Sequence, residues 1–291
     1  MKSREKKDIL SVLEHRLASF SKSQRVIARY ILDNYDKAAF MTASRLGEAV
    51  GVSESTVVRF AAELGYRGYP GMKKALQEIV RNRLTAVERI EAAENTVDTQ
   101  DVLKAVLRAD VNNLQATLDE IDQTGFNAAV EQICTANKIY IIGMRTSTTL
   151  AKFFWFYLNL LRENVYVIQD TAASEAYEQM LRVQEGDLVI GISFPRYSQR
   201  TVDAVKFAAG RGASTLGITD VKSSPLSELT GVCLYAKSEM VSFLDSLVAP
   251  MGLLNALIVA IGLRNREQTF QNFRMLEEIW ADHSVYQSNE S

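Results

Sequence analysis

Cysteine, histidine and proline are all scarce in this chain. The 291 residues include two cysteines, two histidines and four prolines. Cys134 and Cys233 lie far apart in apolar surroundings, which excludes a disulfide framework and reads as reduced thiols in a reducing compartment. His15 and His283 sit near opposite ends, so no Cys/His cluster has metal-ligand spacing; neither a metal nor a cofactor is expected. With few prolines, 47% hydrophobic and 23% charged residues, the composition is neither disordered nor fibrous. The opening stretch MKSREKKDILSVLEHRL has no apolar core and no small-residue cleavage site, unlike a signal peptide. Long apolar runs are missing too. Phe153–Leu161 is too short to span a bilayer, and Leu247–Leu263, at the lower edge of length, holds Pro250 and Asn255. Both read as buried core or dimer helices, so no membrane partner and a cytoplasmic location are expected.

What is present is a charge asymmetry. Residues 1–90 carry a net +7, whereas residues 91–291 carry a net −9. A phosphate backbone would bind the basic end.

Periodicity divides the chain into an all-α part followed by an α/β part. Leu10, Leu13, Leu17 and Phe20 mark one face of a first helix. Ser21 or Ser23 caps a second, with Val26, Ile27, Tyr30 and Ile31 as its buried stripe. Further helices are expected over 43–50, 54–64 and 71–83. From about residue 126, short β-branched runs alternate with helical stretches: 138–143, 165–168, 188–193, 214–219 and 232–236. That alternation predicts a parallel sheet flanked by helices. The expected layout is a helical domain over 1–84, a linker and connecting helix over 85–125, an α/β domain over 126–280, and a tail over 281–291.

Thr42–Leu64 has the form helix, tight turn, helix. Gly51 suits a left-handed turn, Val52 packs inward and Ser53 caps the second helix. Ser55 and Arg59 then fall four apart on its outer face, with Glu54 and Thr56 beside them. Short residues let a helix end approach base edges, and arginine binds guanine or phosphate through two N–H groups. Lys73, Lys74, Arg81 and Arg83 add a second basic helix. The candidate DNA-binding residues are Ser53, Glu54, Ser55, Thr56, Arg59, Lys73 and Lys74. An ordinary helical hairpin with a wet outer face is the alternative.

The segments VSESTVVRF and LGYRGYPGMKKAL, within a longer matching stretch, strongly resemble the N-terminal domain of the RpiR family of transcription regulators. That family pairs this domain with a sugar isomerase (SIS) domain. The resemblance implies a helix-turn-helix repressor or activator, dimeric or tetrameric, that responds to a phosphorylated sugar or related metabolite. SIS domains commonly carry loops of form GxGxS and SxSGxT around a phosphate. Here Gly143, Ser147, Ser193 and Ser198 fit, but Arg145 and Arg196 stand where the pattern has glycine, and Pro195 replaces the middle serine. Glycine exposes backbone N–H groups to a phosphate, whereas arginine offers a charged fork that also accepts carboxylates. The candidate ligand-binding residues are Gly143, Arg145, Thr146, Ser147, Ser193, Arg196, Ser198 and Glu175. The ligand is expected to be a small anion, not necessarily a hexose phosphate. The arginines would instead be structural if they pair with Glu175, Asp170 or Asp245.

No catalytic residue is expected. An isomerase needs a base near its substrate. Glu175 is a conceivable one, but nothing marks a partner acid. A sugar-phosphate isomerase and a metabolite sensor that does not bind DNA are the two alternatives. Because one helix-turn-helix binds weakly, two copies on a pseudo-palindromic operator are expected, with the helical stretch 101–121 carrying the ligand signal.

Overall fold

A computed structural model describes residues 9–83, scattered positions between 85 and 90, 101–169, 174–240 and 243–285. Asp170, Ser242 and the polar stretch 91–100 lie outside the described residues, as do the side chains of Arg81 and Arg83. The chain divides into two compact units, 1–107 with 240–244, and 108–239 with 245–291.

The first unit is helical: α1 (Ile9–Arg16), α2 (Lys22–Asp33), α3 (Tyr35–Ala38), α4 (Ala43–Val50), α5 (Glu54–Glu63) and α6 (Gly68–Arg83). Ser21 opens α2 with a capping box, its hydroxyl facing the Gln24 amide and the Gln24 side chain facing the Ser21 amide. Ile27, Ala28 and Ile31 form the buried stripe, while Val26 is 42% exposed. Successive residues turn 100° around a helix, and position 26 falls off the face that 27, 28 and 31 define. Phe60, not singled out by periodicity, is fully buried and packs edge-on against Phe20 with ring centroids 5.3 Å apart. α6 begins at Gly68 because Pro70 falls in the first turn, where no intrahelical N–H is required.

The second unit holds the helix α7 (Val102–Glu120) from residue 108 onward. Then follow α8 (Gln123–Thr135), β1 (Ile139–Gly143), α9 (Ser147–Leu161), β2 (Val165–Ile168), α10 (Glu175–Gln179) and β3 (Leu188–Ile192). The chain continues through α11 (Gln199–Gly210), β4 (Ser214–Thr219), α12 (Pro225–Leu229), β5 (Val232–Tyr235), α13 (Val248–Arg264) and α14 (Arg266–Asp282). All five strands are parallel, in the order β2-β1-β3-β4-β5. Alternate residues serve opposite faces. Ile139, Ile141, Leu188 and Ile190 pack with α8, α9 and α13. Tyr140, Ile142 and Val189 pack with α10, α11 and α12. Helices therefore cover both faces, which is why these strands are almost wholly apolar. Phe154, Leu158, Leu253, Leu254, Leu257 and Ile261 place the inner sides of α9 and α13 in this core. Among the described residues, no single helix is long and apolar enough to cross a membrane.

Candidate functional site

The strand order sets two candidate loops of the second unit side by side. The chain leaves β1 toward β2 on one side, and β3 lies on the other. Connections diverge there, the kind of point at which open α/β sheets bind ligands beyond the carboxyl ends of their strands. Gly143 ends β1 in register with Ile192 of β3, so the two candidate loops are neighbours.

The first loop turns tightly. A Cβ on Gly143 would lie 2.6 Å from the Ser147 carbonyl oxygen, so no larger residue fits without moving backbone. The Ser147, Thr148 and Thr149 amides each donate to the carbonyl three residues back, at 3.1 Å. The Thr148 hydroxyl donates to the Gly143 carbonyl at 2.8 Å, which leaves Thr146 and Thr149 as the exposed hydroxyls of this turn. Ser147 is buried.

The second loop is braced from below. Buried Ser193 accepts from the Ser198 amide at 3.2 Å, and Ser198 caps α11. Tyr197 donates its hydroxyl to Asp220, a buried carboxylate just beyond β4, at 2.8 Å. Ser193 and Ser198 thus hold the loop's shape through the same atoms that were expected to meet a ligand. Asp220 was missed, because a single Asp after a strand carries no signal until Tyr197 is folded over it.

Arg145 and Arg196 sit at φ 58° and 61°, in the left-handed region. The backbone keeps the conformation that glycine adopts readily, yet a charged side chain occupies both tips. Both residues are exposed, and among the described residues neither guanidinium is held in an ion pair. Glu175 and Asp245, two of the acids that the structural alternative would pair with them, each have an interaction of their own. Glu175 is the first residue of the short α10 and is partly exposed.

In the first unit, α4, the turn and α5 form a helix-turn-helix. Gly51 has φ 73°, and a Cβ on Gly47 would lie 2.7 Å from the Val52 carbonyl oxygen. Gly47, not anticipated from the sequence, lets the turn fold back onto α4. Val57, Phe60 and Ala61 are buried, whereas Glu54, Ser55 and Arg59 are exposed on the outer face of α5. Ser53 accepts from the Thr56 amide at 3.3 Å and shares hydroxyl contacts with Ser55 and Thr56. Arg59 donates Nε to the Ser55 carbonyl at 3.3 Å. Lys73 differs from its expected role as an open basic contact. It is half-buried, donates to the Phe40 carbonyl at 3.3 Å, and burial lowers its pKa. Lys74 is also only partly exposed.

A helix-turn-helix unit and a doubly wound, parallel α/β unit in one chain define a transcription regulator with a metabolite-type domain. The family model described as "Helix-turn-helix domain, rpiR family" matches residues 7–83, and "SIS domain" matches 132–260. An RpiR transcription factor from Sphaerobacter thermophilus, solved as its sugar isomerase domain, is 30% identical with a TM-score of 0.59. The match covers 61% of this chain and 99% of that one. The Vibrio vulnificus NanR protein complexed with ManNAc-6P is 25% identical over 94% of this chain and 98% of its own, with a TM-score of 0.58. The HTH-type transcriptional regulator HexR of Pseudomonas aeruginosa is 27% identical, with 94% and 95% of the two chains covered. The chain belongs to the RpiR family of transcription regulators.

Proposed function

We propose that two copies of this chain grip a pseudo-palindromic DNA operator through α5, and that a phosphorylated sugar or similar small anion at the 143–147 and 193–198 loops alters that grip. The observation that carries the effector site is the pair of left-handed arginines on adjoining loops at the sheet's switch point. A guanidinium binds an anionic oxygen pair with two N–H groups, and a strained non-glycine backbone is a feature of functional positions. The DNA contact rests on the outward Ser55 and Arg59 and on the basic balance of residues 1–90. Thr146 and Glu175 complete the proposed ligand shell. The work is sensing rather than catalysis, a reading supported by the relatives named as transcriptional regulators, with Glu175 as a ligand contact and not a base. A cytoplasmic location follows from a DNA partner.

The test is fluorescence anisotropy of the protein on its own upstream DNA, with and without sugar phosphates and small carboxylates. Salt-sensitive duplex binding that one anion class shifts is the expected result. Sugar interconversion without duplex binding would favour the isomerase reading. A thermal-shift screen finds the ligand, because one that binds only the folded state must raise the melting temperature.

A further inference from the structure

The outer arc of α5 holds more than the serine and the arginine read from the sequence. Positions 55, 58, 59 and 62 follow the i, i+3, i+4, i+7 spacing that sets residues on one side of a helix. All of them are exposed, while Val57, Phe60 and Ala61 turn inward. The arc therefore reads Ser55, Val58, Arg59, Ala62. Val58 is 38% exposed, whereas its neighbour Val57 is fully buried. It takes no part in the hydrophobic core of the helical unit.

Solvation alone does not favour valine here. A β-branched side chain loses rotamer freedom in a helix, and where packing does not decide, alanine, lysine, glutamate and glutamine are better helix formers. The rest of the arc is also unlike a solvated face, since neither lysine nor a carboxylate stands in it. Ser55 and Ala62 are short, which lets the helix lie close to the floor of a groove. In the major groove, base pairs differ in their hydrogen-bonding groups and in one apolar group, the 5-methyl of thymine. An apolar side chain distinguishes bases through that methyl. Thr56 also carries a methyl, but it is only partly exposed and its hydroxyl contacts Ser53. Ala62 lies a turn further from the N-terminal end, which is the end that meets base edges.

We propose that Val58 selects an A·T pair, packing its methyls on the 5-methyl group of one thymine in each half-site. This rests on the reading of α5 as the DNA-contacting helix and deepens it, naming a base where that reading names only a duplex.

The test amplifies the protein's own upstream duplex once with thymidine triphosphate and once with deoxyuridine triphosphate. The second product lacks every thymine methyl and keeps its base pairing. Band-shift titrations of the wild-type and Val58→Ala chains on both duplexes complete a double-mutant cycle. The wild-type chain is expected to lose about fourfold in affinity per half-site on the exchange, the effect of one buried methyl. Val58→Ala is expected to bind the thymine duplex more weakly and to lose less than about twofold per half-site. Changes in duplex shape act on both proteins and cancel in the cycle. Alanine is the better helix former, so the thermal melt of the variant should not fall. Each ratio is taken within one protein, so an unfolded fraction cancels as well. Equal thymine-to-uracil ratios for the two proteins, or a wild-type chain indifferent to the exchange, overturn the role of Val58 and leave the DNA reading standing. A wild-type chain that binds neither duplex overturns both.

Discussion

Replacing Arg145 or Arg196 by glycine and, separately, by alanine divides backbone strain from charge. At an ordinary helical or extended φ, alanine is more stable than glycine by about 0.5–1 kcal/mol, because glycine has more freedom to lose on folding. At φ 58° and 61° the order inverts. An L side chain in the left-handed region costs on the order of 1–2 kcal/mol, which glycine avoids. Glycine is therefore expected to exceed alanine by about 0.5–1 kcal/mol at each site, after its larger unfolded-state entropy is subtracted. Urea denaturation reads this as a higher midpoint for Arg145→Gly than for Arg145→Ala, and likewise at 196. Both replacements remove the guanidinium, so both should weaken anion binding similarly. Hydrogen bonds to charged groups contribute about 1.5–3 kcal/mol, or roughly ten- to a hundredfold in affinity by isothermal titration. Alanine variants as stable as the glycine ones would refute the strained-loop reasoning. Intact anion affinity in all four variants would refute the ligand role.

Three further outcomes are expected. Gly143→Ala drives a Cβ to 2.6 Å from a backbone oxygen, so the β1 loop must open; loss of the ligand-induced thermal shift checks it, with a stability loss above about 1 kcal/mol. Arg59→Ala should weaken duplex binding, and a salt titration tells whether the arginine meets phosphate, which flattens the slope, or bases, which relaxes sequence preference. Burial pushes the Tyr69 hydroxyl up from 10.0 to about 12. Between those values the unfolded chain gives up the proton and the folded one keeps it, so stability falls as pH rises, by up to about 2–3 kcal/mol. Tyr69→Phe should remove this dependence in alkaline urea melts.

The strand runs and the helix-turn-helix were legible because each is a local property. Period-3.6 and near-continuous apolar patterns mark α4, α5 and β1 to β5 whatever their neighbours do. The bounds of β2 and β4 in the sequence and in the structure coincide. Where the reading departed from the molecule, two elements had to meet. Val26 belongs to the apolar pattern, but the position of the other helices decides which face of α2 is buried. Lys73 counts as a surface charge until α6 lays it against the Phe40 carbonyl. Asp220 gains its purpose only when β4 is set beside β3 and Tyr197 comes within 2.8 Å.

The amino-acid sequence by itself determined the helical and strand segments, the basic and acidic halves, and the presence of arginine at two positions where glycine is usual. Tertiary structure alone decided that those arginines sit in left-handed backbone on neighbouring loops, that Ser193 is buried beneath the Ser198 amide, and that α14 buries none of its residues. The physical reason is range. Periodicity, capping and charge count act within a few residues along the chain, whereas crevices, braces and uncovered faces arise between segments that only folding brings together.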